Sequence, residues 1–534
     1  DVYNVAVGHN AGQQVTTGQN NTLIGGLAGD ALTAVNDNVV VGTGALTSDT
    51  LGSGTVAIGR QVLQTQNFTT ATTTYNTAVG HQAGLAVTTG VHNTIVGANA
   101  GDALTDADYN TALGSFALSA DTLGSRSTAL GWQALGNQNF TTATDAYNTA
   151  VGVNAGLSVT TGTENVLIGG LAGDALTTGG LNVAVGHAAL SSEDGHGSNT
   201  AIGYLSLATL NAGATGYNTA VGYNSGTALT TGIHNTLMGG LAADALTDAD
   251  YNVAVGYAAL TSDTLGSRSV AIGYEALENQ NFTTATNSYN VAMGYNAGKN
   301  VSTGVQNVLI GGLTGDAITT GNNNVAVGNF ALTANQTGAQ NTAVGTQSLN
   351  ACTGTDNTAV GMNAGLAIVG GSNNTTVGSL AGNQITSGGN NTAIGKDAGR
   401  SGSPGGAITT GSNQIALGDE NVSSFFAQVA LTVSSDERDK TDFVDLDLGL
   451  DFVKALEPVT YYWDKRSKYG DKTAEDYDLN AQTPDGTHKE DWMDVGFKAQ
   501  SVKTLEEAAG YKLSDKKNLT VSLTEDGKQY GLKY

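Results

Sequence analysis

One five-residue string returns along most of the chain: Asn, then Thr or Val, then usually Ala, then an aliphatic residue, then Gly, as in Asn76-Thr77-Ala78-Val79-Gly80. Its closing glycines run from Gly8 to Gly418, and 17 of the 23 spacings between them are 17 residues. The exceptions fall mainly after every fourth copy, as between Gly59 and Gly80 or Gly131 and Gly152, so four copies build a super-repeat of 72 residues. A fixed period of this kind marks a stack of equivalent units. Within each unit the apolar core is three residues long and partly β-branched, and glycine recurs where a helix would need good formers. The predicted unit is one coil of a β-solenoid.

The position before each glycine is always Val, Ile, Leu or Met, as at Val79, Val96, Leu113 and Leu130. The expectation is that this side chain stacks from coil to coil inside the solenoid. The residue before it then points the other way, because successive strand side chains face opposite sides. That residue is usually Ala, as at Ala78, Ala112 and Ala129. It becomes Leu or Ile in the second coil of a super-repeat (Leu23, Ile95, Leu167, Leu237, Leu309), and Thr376 is polar. A strand apolar on both faces is buried on both. Small outward alanines therefore predict a close neighbour, and a parallel homotrimer is the expected assembly. Asn76, Asn93, Asn110 and their equivalents are expected to form ladders at the coil corner, bonded to the turn backbone.

Composition sharpens this picture. The 534 residues include 75 Gly and 3 Pro, and 13% are charged, against ~25% in an ordinary soluble domain. At 40% hydrophobic the chain is too apolar for disorder, and it lacks a strict collagen period. No run of 18 apolar residues suggests a membrane span, and no signal peptide opens the chain. Because the first residue is Asp1 rather than Met, a fragment is expected. The net charge of -25 argues against nucleic acid or an anionic membrane as partner. Cys352 is the sole cysteine, which excludes a disulfide framework or a thiolate metal site within one chain. Charge is uneven: residues up to Ser434 hold 6 basic and 24 acidic side chains, and the last 100 hold 15 and 22. Three parts are expected: a repetitive shaft over 1–418, a connector over 419–434, and an α+β tail over 435–534.

Candidate chemistry in the shaft is sparse. The longer fourth coils share the insert Gln66-Asn67-Phe68-Thr69-Thr70, repeated around Phe140 and Phe282. An aromatic ring among amides and hydroxyls suits a saccharide, so Phe68, Phe140 and Phe282 are candidate receptor contacts, with a buried plug as the plainer alternative. Tyr3, Tyr75, Tyr109, Tyr147, Tyr217, Tyr251 and Tyr289 precede the repeat Asn and are expected to stack on one another. Asp106 with Asp108, and Asp248 with Asp250, offer oxygen pairs for a hard cation, with a solvated turn as the alternative. His9 and His81 share one repeat position and His92 and His234 another, which in a trimer would give histidine triplets. Neither spacing is distinctive, so no metal and no cofactor is predicted. Phosphate-binding loops, zinc spacings and a nucleophile elbow are absent.

The shaft copies of Asn-Thr-Ala-Val-Gly resemble the head repeats of trimeric autotransporter adhesins and the repeat shafts of phage tail fibres, which implies a β-roll trimer. In the tail, Leu446 to Leu456 predicts a short helix, Pro458 to Trp463 a strand, Gly496 to Val502 a strand running into a helix, and Gly527 to Tyr534 a hairpin strand. Three motifs stand there: Ser435-Asp436-Glu437-Arg438-Asp439-Lys440, then Leu456-Glu457-Pro458-Val459 with Tyr461 and Trp463, then Gly496-Phe497 with Ala499-Gln500 and Val502. Together they resemble the intramolecular chaperone, or auto-processing, domain of phage tail fibres and endosialidases. The resemblance implies a domain that trimerises, sets three chains in register and then cuts itself off. It implies a Ser435 nucleophile activated by Lys440, with the bond between Ser435 and Asp436 broken. Asp439 stands where that family has an apolar residue, and the chain ends where the family continues into a long helix. The expected protein is thus a host-recognising tail fibre or tailspike of a virion, a homotrimer meeting a surface polysaccharide or receptor. The alternatives are a trimeric adhesin of the bacterial surface and an ice- or polysaccharide-binding solenoid.

Overall fold

The computed structural model describes residues 2–426, 428, 438, 441, 443, 446–471, 477–523 and 529–532. It groups into two compact units, Asp1–Asn307 and Val308–Tyr534. The first carries seventeen three-residue strands, from Val5–Val7 to Val291–Met293, and the second carries seven of the same kind, from Val308–Ile310 to Ile415–Leu417. Within each unit successive strands pair in parallel with equivalent residues opposite, as Thr77↔Thr94, Ala78↔Ile95 and Val79↔Val96. This is the mainly β, parallel solenoid of 17-residue coils that the period predicts.

Which face of each strand lies inside is the reverse of the expectation. Ala78, Ala112 and Ala129 are fully buried, whereas Leu113 and Leu130 are 45% and 37% exposed. The aliphatic residue before glycine points out, and the alanine points in. The reason lies in the turns. Leu118 and Leu135 reach back from their turns into the coil interior and are fully buried there, so the strands beside them have room only for a methyl group. In the second coil the arrangement inverts: the strand supplies Ile95, and the turns around it carry glycine. A Cβ at Gly84 would lie 2.8 Å from Leu63 and 3.0 Å from Ile95. The four-coil super-repeat is therefore a packing period, in which strand and turn take turns to supply the large side chain.

Two devices close each coil. The repeat glycines from Gly8 to Gly378 adopt φ of +131° to +144°, as at Gly131 (+142°), and a Cβ there would meet the carbonyl oxygen of Gly152 at 2.3 Å. The repeat asparagines form the expected ladder: Asn93 N donates to Asn76 Oδ1 at 2.9 Å, and Asn93 Nδ2 donates to Ala107 O at 2.7 Å. Each buried amide thus satisfies the backbone of its own corner and the next, which is why a polar residue is tolerated in the interior.

The first helix and strand of the tail and its last strand lie inside their expected bounds, the second helix runs further than Val502, and the strand Val521–Leu523 was not expected. The tail elements are helix α1 (Leu450–Ala455), a strand pair of Val459–Tyr461 with Asp494–Gly496, helix α2 (Ala499–Ala508), and an antiparallel pair of Val521–Leu523 with Tyr530–Leu532. Helix α2 is tied to the last pair by Glu506, which accepts from Thr520 N at 2.7 Å, Thr520 Oγ1 at 2.6 Å and Leu519 N at 3.2 Å. Burial raises the pKa of Glu506, but these donors outweigh it and hold the group below the usual carboxylate range.

Candidate functional site

Three of the longer fourth coils form a buried polar knot beneath their insert. In the second super-repeat, Asp121 Oδ1 accepts from Gly124 N (3.0 Å) and Phe140 N (3.1 Å), and its Oδ2 accepts from Gln138 Nε2 (2.6 Å). Gln138 Oε1 in turn accepts from Asn148 of the ladder at 2.9 Å. The same arrangement joins Asp49 with Gln66, and Asp263 with Gln280. Phe68, Phe140 and Phe282 close these knots with rings 5% exposed, so within one chain they offer no open ring face. The groups of the insert that do reach solvent are Asn67, Thr69 and Thr70 and their equivalents.

The third super-repeat rearranges the knot. Glu193 replaces the aspartate, Leu210 the glutamine, Ala212 the phenylalanine and His196 the glycine. Glu193 Oε1 accepts from His196 N and its Oε2 from Ala212 N, both at 3.0 Å. Glu193, Asp194 and His196 bring ligand-type atoms within 4.8 Å of one another, the only such group among the described residues. Sequence spacing did not single it out. Its atoms occupy the place of the hydrogen-bonded knot in the other repeats, which accounts for the cluster structurally.

Burial raises the pKa of Asp49, Asp121 and Asp263, with the glutamine and backbone donors opposing it. A carboxyl raised in the folded state binds its proton more tightly there than in the unfolded chain. Its contribution is fully present below the ordinary carboxylate value and is lost as pH rises through the raised one. The expected result is that lowering pH from 7 into the acid range raises the melting temperature. A triple variant with all three aspartates changed to Asn should show a smaller rise, and equal rises in both proteins would contradict the assignment. Cys352 is buried, and that burial pushes its thiol up to about 11, so it is not a thiolate at neutral pH.

The acidic pairs and histidines serve the coils. Asp106 accepts from Thr89 Oγ1 and Asp108 from Val91 N across one coil, and Asp248 and Asp250 repeat this with Thr231 and Ile233. The tyrosines before the repeat Asn do not stack on one another as expected, because histidine and arginine of the intervening coils stand between and beside them. His92 lies 5.3 Å from Tyr75 and 4.9 Å from Tyr109, and the Arg126 guanidinium lies 4.8 Å from the Tyr109 ring. Tyr217, His234, Tyr251 and Arg268 repeat the order. A second column, one residue past the closing glycines, was not recognised in the sequence. It holds His187, Tyr204 and Tyr223, and further on Tyr257, Tyr274 and Tyr295, with neighbouring rings 5.5–5.6 Å apart.

Ser435, Asp436 and Lys440 lie outside the described residues. The comparisons bear on them through sequence alone. Residues 435–511 match the family model for the chaperone of endosialidase. The match begins at the residue where the charged composition starts, and it covers both helices and the first strand pair of the tail. Searches of curated proteins and of solved structures returned no match.

Proposed function

We propose that this chain is the shaft and tail of a phage tail fibre or tailspike, a parallel homotrimer whose C-terminal part acts as an intramolecular chaperone and then severs itself. The observation that carries the reading is the similarity of residues 435–511 to the chaperone of endosialidase, placed directly behind a repetitive solenoid. In this reading 1–418 is the shaft, 419–434 the connector and 435–534 the chaperone. The peptide bond between Ser435 and Asp436 is hydrolysed with Ser435 as nucleophile and Lys440 as base, and the added water leaves a carboxylate on Ser435 and a free amine on Asp436. A lysine acts as base only where burial or a like charge lowers its pKa, which the assembled trimer would supply.

The outward strand face supports association, on different residues from those expected. Its two columns hold Thr, Val or Ile at one position and Val, Ile, Leu or Met at the other, with no charged residue in any copy. Three chains of net charge -25 repel one another, so a face without charge is where they can meet.

Two neighbouring substitutions test this. Leu130→Glu puts a charge on the outward face and is expected to leave folded monomers in sedimentation. Ala129→Glu buries a charge among methyl groups and is expected to abolish folding by ~4 kcal/mol or more. Folded trimers from Leu130→Glu would remove this face from the interface. Electron microscopy with antibodies to the shaft separates the virion from a bacterial surface adhesin: label on phage tails supports the first and label on the cell surface the second. Protruding tyrosines beside the threonine column disfavour a flat ice-binding plane, and a positive thermal-hysteresis assay would reverse that judgement.

A further inference from the structure

The second aromatic column has a gap one ring thick. Stacking of coils in register brings Tyr223, Gly240 and Tyr257 into consecutive places: Leu241 N donates to Tyr223 O at 2.9 Å and Ala258 N to Gly240 O at 3.0 Å. Tyr223 ends one stack, lying 5.6 Å from Tyr204 with planes 8° apart. Tyr257 begins the next, 5.5 Å from Tyr274. Both wall residues are half exposed, at 57% and 50%.

The backbone does not demand glycine at 240. Its φ is not among the positive values, and a Cβ there would meet Tyr257 at 3.6 Å, an ordinary contact. This sets it apart from Gly239 beside it, where φ is +139° and a Cβ would meet Gly256 O at 2.3 Å. The consequence of Gly240 is an open place between two aromatic faces. Two strand spacings put those faces ~10 Å apart, so a ring between them sits ~5 Å from each, inside the stacking range of about 4.5–7 Å. The corresponding Gly170 lies between Val153 and His187 and lacks paired tyrosine walls.

We propose that Tyr223, Gly240 and Tyr257 form a slot for one neutral pyranose ring of a surface polysaccharide. The inference rests on the reading of the shaft as surface-recognising and names the ligand class and place. A sugar ring offers apolar C–H faces to both walls, and its hydroxyl fringe matches the phenolic O–H groups, which donate and accept. An aromatic side chain would use the walls but not the hydroxyls. With 24 acidic and 6 basic residues up to Ser434, the shaft repels phosphorylated and acidic ligands.

The test is affinity electrophoresis of the whole protein through gels containing a soluble β-glucan, a mannan or a galactan. At least one should retard the unsubstituted protein. Gly240→Tyr fills the gap with the ring the column lacks, so it should fold normally and bind at least tenfold more weakly. Tyr223→Ala should do the same, and Gly240→Ala should bind as before. Equal binding by Gly240→Tyr overturns the slot while leaving surface recognition standing. No retardation of the unsubstituted protein by any of the three overturns both slot and polysaccharide recognition. If Gly240→Tyr instead changes the sedimentation of the assembly, the slot holds a ring of another copy and the sugar assignment falls.

Discussion

A single methyl group at Gly131 is expected to split the solenoid. The residue sits at φ +142°, and its Cβ would lie 2.3 Å from the carbonyl oxygen of Gly152 in the next coil. Backbone strain of this kind costs about 1–3 kcal/mol, and the overlap with a carbonyl cannot be relieved by a side-chain rotation, so ~3–5 kcal/mol is expected for Gly131→Ala. Stacked repeats hold together through nearest-neighbour interfaces. The damage should therefore concentrate at one coil boundary. Limited proteolysis should cut near residue 131 and release two resistant pieces, whereas the unsubstituted shaft resists. Gly213 is the control, because a Cβ there meets nothing within 4 Å. Equal protease resistance of Gly131→Ala and Gly213→Ala would show that the close approach at Gly131 is not limiting.

The second large effect concerns the tail. A chain extended beyond Tyr534 is expected to split once, between Ser435 and Asp436, releasing a charged fragment of about 100 residues or more by the proposed function. Ser435→Ala should abolish cutting yet leave a soluble, folded trimer, and Lys440→Ala should slow cutting strongly. Mass spectrometry of the expressed protein reads both. Unchanged cutting in Ser435→Ala would remove the serine from the chemistry, and an intact unsubstituted extended chain would remove the self-cleavage. The physical sense of a single cut lies in the shaft. Almost all its pairing is parallel and between coils, and parallel pairing of this type is slow and aggregation-prone when three chains must meet in register. Under the proposed function a trimeric clamp would lower that entropy cost, and its departure would leave a solenoid whose persistence is kinetic, since the nucleus for refolding would be gone.

Much of this was legible in the residues because it is periodic or local. The spacing of Gly8, Gly25 and Gly42 determined coil length, the asparagine before each strand determined the ladder, and the change of composition at Ser435 coincides with the start of the matched family model. The first helix and strand of the tail fell where their apolar patterns put them, within a few residues, whereas the strand Val521–Leu523 was not read from the sequence. The tyrosine columns were half legible: Tyr75 and Tyr109 were marked for stacking, but the part of His92 and Arg126 depends on four coils lying one above another.

What the tertiary structure alone decided is which side of the strand faces inward. An alternation of period two says that Ala78 and Val79 face opposite ways, and it is silent on which is inside. The answer depends on what else fills the interior, and the filling comes from turn leucines such as Leu118 and Leu135, held at φ +54° and +49°. Leucine is disfavoured in that left-handed conformation, so no local propensity predicts it. Its complete burial against the strand alanines offsets the strain, and this packing turns the aliphatic residues out to the surface.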